Sequence, residues 1–260
     1  QNASVAIGKS TAYNNTYQTM LDVAGAVRVG MDQKGAVGTN SLAIGDGNTA
    51  SGSASFASGQ NTTSSGSQSF AIGNASNASG NGSFAGGYWN STNGGATASA
   101  QSSFAFGEGS NSSQPFAVAI GNNNKSTGNA SVAFGQNTTS SGAQSFAVGN
   151  ANTASGNGSF AGGYWNVNNG SSIAAGQSSF AFGEGANAKS DHSLAFGNGA
   201  TAIANHAVAM GVGTIAPARS SVTLGRYNVN KFTSPDIAQN SPGEPIFQVG
   251  SGPDDGRRYN

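Results

Sequence analysis

The chain has 260 residues, 41 of them glycine; only 8% are charged, ten basic against ten acidic, and none is cysteine. That balance leaves no basic stripe to neutralise nucleic-acid phosphates and no polybasic patch for anionic lipid. Without disulfides, stability rests on packing and hydrogen bonds, and no run approaches the roughly 18 apolar residues of a membrane-spanning helix.

Residues 1–40 are irregular. A five-residue phrase, Ser4-Val5-Ala6-Ile7-Gly8, is followed by an interruption over 9–40 that contains one imperfect copy, Ala26-Val27-Arg28-Val29-Gly30. The chain opens on Gln1 without a signal peptide and stops at Asn260, so both ends are expected to be cut from something longer.

From Ser41 the phrase becomes regular: Ser41-Leu42-Ala43-Ile44-Gly45, Ser69-Phe70-Ala71-Ile72-Gly73, Ser131-Val132-Ala133-Phe134-Gly135. Its closing glycines fall at 45, 59, 73, 87, 107, 121, 135, 149, 163, 183, 197, 211 and 225, in steps of 14 except for two of 20. A fixed short period is the signature of a solenoid. A second glycine at half period (Gly52, Gly66, Gly80, Gly128, Gly142, Gly156) predicts two short strands of about five residues per coil, stacked about 4.8 Å from the next coil. Glycine throughout, with apolar residues at alternate positions, excludes helix.

Residues 59–121 recur as 135–197, 76 positions later. Each copy contains one long coil, marked by Gly87-Tyr88-Trp89-Asn90 and Gly163-Tyr164-Trp165-Asn166, whose six extra residues must leave as a loop. From Arg226 the period stops, and Pro235, Pro242, Pro245 and Pro253 mark a different composition. Three regions follow: an irregular 1–40, a repeat region 41–225, and a connecting module 226–260.

Strand side chains alternate faces. Phe70, Phe84, Phe104 and Val118, with Ile72, Phe106, Ile120 and Phe134, are expected to point into the coil. The other face then carries Ala71, Ala105, Ala119, Ala133, Ala147, Ala181 and Ala195, a small uncharged column against which identical copies are expected to pack. A 14-residue coil is too thin to offset its own ordering entropy, which also argues for partners. On this reading Ala133→Asp breaks assembly, and Thr138→Asp is tolerated if its turn is exposed.

The phrase, the 14-residue period and the half-period glycine resemble the head repeats of YadA-like trimeric autotransporter adhesins, over residues 41–225 with an outlying copy at 4–8. The resemblance implies an all-β, left-handed parallel β-roll, assembled as a homotrimer in an extracellular fibre on a bacterial surface. It also implies attachment to a protein or glycan of a host, a cell or another surface. The tail, Leu224-Gly225-Arg226-Tyr227-Asn228 through Ile246-Phe247-Gln248-Val249-Gly250, is similar to segments that follow such heads in surface proteins and phage fibres.

No catalytic constellation is present, and neither an enzyme, a cofactor nor a metal is expected. Glu108 and Glu184 stand five coils apart, about 24 Å at strand spacing, too far for a hydrolytic carboxylate pair. His192 and His206, 14 apart, should stack in neighbouring coils; in a trimer they offer rings of imidazoles, but the preferred reading is a surface or turn position repeated because the coil repeats. Tyr88, Trp89, Asn90, Tyr164, Trp165 and Asn166 are the candidate ligand contacts, since flat aromatics beside amides suit carbohydrate or protein. Alternatively those rings fold back to replace the volume missing at Gly86 and Gly162. The function expected is a structural and adhesive head or rod. Alternatives are a bacteriophage or viral fibre, and an ice-binding solenoid, whose unbroken threonine ranks Thr49, Thr63, Thr139 and Thr153 do not supply.

Overall fold

The computed structural model describes residues 26–30, 37–228 and 247–252; the phrase at 4–8 lies outside them. Each coil gives one strand of three to five residues, such as Val132–Gln136, and one of two, such as Thr139–Ser140. The longer strands form one parallel sheet of 15, the shorter ones a second parallel sheet of 12. Like residues pair with like: Ala119 with Ala133 and Ala147, Gly121 with Gly135 and Gly149. The 14-residue period is therefore the register of a parallel solenoid.

The second strand is shorter than the expected five residues. After Ser140 the chain turns inward at Gly142, where a Cβ would lie 2.0 Å from the Gly156 carbonyl oxygen of the next coil. Backbone contact, rather than an unusual φ, requires glycine there. The closing glycine differs: Gly135 holds φ +125, and its Cβ would also meet the Gly149 oxygen at 2.0 Å.

The two faces of the long strand are the reverse of expectation. Ala71, Ala105, Ala119, Ala133, Ala147, Ala181 and Ala195 are wholly buried inside the coil, where Ala147 and Ala161 cluster with Ala154 and Ala174 of the short sheet. They are not a surface for another copy. Phe70, Phe84, Phe104, Val118, Ile72, Phe106, Ile120 and Phe134 point outward and are half-buried or exposed, Phe134 at 49%. The reason is thickness. A 14-residue coil with a two-residue return strand holds its sheets so close that only methyl, hydroxyl and amide groups fit between them.

The interior is accordingly polar as well as small. Ser126 and Ser140 bond Ser131 and Ser145 at 2.6 Å, and Ser131 Oγ donates to the Gly128 carbonyl. Asn124 is buried and donates its amide to the Ile120 and Gly135 carbonyls, while its Oδ1 accepts from Thr138 N and Oγ1. Thr138 is thus buried, and the half-exposed residue of that turn is Thr139.

The sheet runs past the regular repeats at both ends. Val27–Val29 pairs with Leu42–Asp46, so the imperfect phrase forms a strand. Phe247–Ser251 pairs with Val222–Arg226, matching Gly250 to Gly225. The short sheet ends instead at Ile215–Ala216, where Asn228 Oδ1 accepts from Ile215 N and Asn228 Nδ2 donates to Ile215 O. One side-chain amide there takes the place of the next strand and blunts an open edge.

Candidate functional site

Two features stand out from the repeat: the loops of the long coils and the outward face of the long sheet. Each loop leaves a strand, Phe84–Gly87 or Phe160–Gly163, and closes on itself through an asparagine. Asn90 Oδ1 accepts from Thr92 N and Asn93 N at 2.8 and 2.7 Å, and Gly94 N donates to Asn90 O. Asn166 repeats this with Asn168, Asn169 and Gly170. These are side-chain turns of the kind asparagine makes readily.

A carboxylate on the following coil anchors each loop. Glu108 Oε1 accepts from Asn93 Nδ2 at 2.6 Å and from Asn90 Nδ2; Glu184 Oε1 accepts from Asn169 Nδ2 at 2.8 Å. The glycine after each glutamate is required by the loop itself, since a Cβ at Gly109 would lie 2.6 Å from Asn93 O and one at Gly185 2.1 Å from Asn169 O. Sequence reasoning set these glutamates aside once it had excluded a catalytic pair. The available signal was that each directly follows the glycine that closes a 20-residue step, and that the repeat region has no other glutamate.

The six candidate ligand residues divide. Asn90 and Asn166 are occupied in closing the loops. Tyr88 and Tyr164 are 70% and 71% exposed, Trp89 and Trp165 43% and 44%. At the missing side chains the nearest atoms belong to the outer face: a Cβ at Gly86 would lie 3.0 Å from Phe84 Cε1 and 3.1 Å from Phe106 Cδ2, and one at Gly162 2.9 Å from both Phe160 Cε1 and Phe182 Cδ2. Rings of the outer face close over those glycines.

That outer face is two columns wide. Phe56, Phe70, Phe84 and Phe104 stack with centroids 4.5, 5.3 and 4.7 Å apart, and Phe146, Phe160 and Phe180 form a second ladder. Beside them Phe106, Phe134, Phe182, Phe196 and Met210 are exposed. The short sheet shows water a mostly polar column instead, in which Thr63 is followed by Asn77, Asn111 by Lys125 and Thr153 by Ile173.

Repeats of this description match a family of known proteins. The model of the YadA head domain repeat matches residues 36–62, 64–88, 98–124, 116–138, 126–152, 140–164 and 174–200, more than half of the chain. The chain belongs to the YadA head family. No curated protein sequence matches it. The YadA head repeats matched end at 88 and 164 and resume at 98 and 174, so the bodies of both Tyr-Trp loops lie between repeats.

The remaining sequence candidates take ordinary places in the YadA head roll. His192 and His206 occupy the left-handed turn that opens each long strand, with φ +58 and +61, and their rings stack at 4.9 Å. Gln68 and Gln144 hold the same turn in other coils, at φ +56. Among the described residues no group of three or more metal-ligating side chains gathers, and no helix is long and apolar enough to cross a membrane.

Proposed function

We propose that the chain is a head segment of a trimeric, surface-displayed adhesin, in which three rolls set their long sheets together around a three-fold axis. The observation that carries this reading is the outward position of the large apolar columns. They run along a sheet of 15 strands, about 65 Å at strand spacing, and soluble monomers rarely leave so long an apolar patch in water. Packing three such faces together supplies the large-residue core that the thin coil lacks. Assembly then acts as part of folding, so the unfolding midpoint should rise with protein concentration. A midpoint independent of concentration would remove the trimer from this reading.

Outside the shared face the rod shows a mostly polar, sparsely charged surface broken by the two loops. Tyr88 and Tyr164, the most exposed rings of the loops at 70% and 71%, are its adhesive contacts, suited to a glycan or protein surface through stacking and burial. Six loops on one trimer multiply weak binding. On arrays of neutral glycans and matrix proteins, Tyr88→Ala combined with Tyr164→Ala should lose most retention with assembly unchanged. Equal retention would move adhesion elsewhere on the rod.

A further inference from the structure

Phe116 is unusual by two measures. It is 57% exposed, and it holds φ +59, a left-handed conformation that a bulky side chain adopts only at a cost. Its column, where each coil turns into the long strand, otherwise carries small or polar residues such as Ala54, Gln68, Gly82, Ser102 and Ala130. Apart from Phe116, that column bears a ring only at His192 and His206 among the described coils.

We propose that Phe116 and His192 are the seats on which Trp89 and Trp165, in the loops of a second copy of this chain, dock. This rests on the trimer proposed above and follows from its symmetry. The long strands cross the roll, so around a parallel three-fold axis the trailing edge of one sheet meets the leading edge of the next. The loops leave the trailing edge, after Gly87 and Gly163; Phe116 and His192 stand at the leading edge. Within one chain the two edges are a strand length apart, about 17 Å for five residues. A loop can therefore meet such a ring only on another copy.

Heights agree as well. The first loop starts at the level of Phe84–Gly87 and is tied to Glu108, at the exit of the next strand, Phe104–Phe106. Phe116 opens the strand after that, Val118–Asn122, about 5 Å above the Glu108 tie and at most about 10 Å above the strand that Trp89 follows, a gap that two facing aromatic side chains can span. The duplication preserves the whole relation. Tyr164-Trp165, Glu184 and His192 repeat Tyr88-Trp89, Glu108 and Phe116 at the 76-residue shift. A flat ring thus waits at the same offset from both loops, and each trimer corner carries two ring-on-ring contacts.

The chain contains no cysteine, so the contact can be tested directly. Trp89→Cys combined with Phe116→Cys, treated with a short bismaleimide, should give covalently linked copies on a denaturing gel, and neither single variant should. As a second readout, Trp89 is the sole tryptophan in a Trp165→Phe background, and its acrylamide quenching should at least double when Phe116→Ala is added. A trimer by light scattering that gives no cross-link, with Trp89 equally quenched beside Phe116 or Ala, overturns the docking and leaves the trimer standing. A monomeric mass overturns the trimer beneath it as well.

Discussion

Gly82 and Gly135 share a letter and a positive φ but stand in different surroundings. A side chain at Gly82 would meet only Ser102 Oγ at 3.7 Å, in a turn where Asn40 and Gln68 hold the same conformation. At Gly135 it would strike backbone at 2.0 Å. Gly82→Asn should therefore change the unfolding free energy measured by urea titration by less than about 1 kcal/mol, and Gly135→Ala should cost about 3 kcal/mol or more. Asn124→Ala leaves two carbonyls and the Thr138 donors short of a partner and should cost about 1–3 kcal/mol. Asn123→Ala, at a half-exposed position whose side chain bonds its equivalent Asn137, should cost a few tenths of a kcal/mol in the same melt. The positions of these residues were legible from the period. Their different roles were not, because the contacts lie between coils and carry no local sequence mark.

At the scale of the loop, the step of 20 announced that six residues leave the roll, and the duplication showed that this happens twice. What holds the loop was hidden, because Glu108 belongs to the coil above and reaches it only through stacking. Glu108→Ala should free the first loop without unfolding the roll. Amide exchange over 88–95 should accelerate while that of Val118–Asn122 stays unchanged. Equal protection in both variants would show that the asparagine turn alone fixes the loop. The return strand was misjudged in length for a related reason: half-period glycine marks where the next coil presses on the chain, and the turn begins earlier.

For the whole molecule, the repeat made the parallel solenoid readable, yet alternation alone could not say which face was inside. Large residues were expected within by analogy with ordinary cores, but the coil has no room for them, and alanine and serine fill it. The consequence for assembly is an exchange of roles between neighbours. Ala133→Asp places a charge in a sealed interior and should unfold several coils, and Thr138→Asp should do the same rather than be tolerated. Phe134→Asp leaves the coil intact and should separate the copies. The most direct measurement is the mass in solution at micromolar concentration by light scattering, with circular dichroism alongside. The native chain should have three times the 25.5 kDa of one copy, and Phe134→Asp should give a smaller, still β-folded species. A folded native chain of 25.5 kDa, unchanged by Phe134→Asp, would contradict the account.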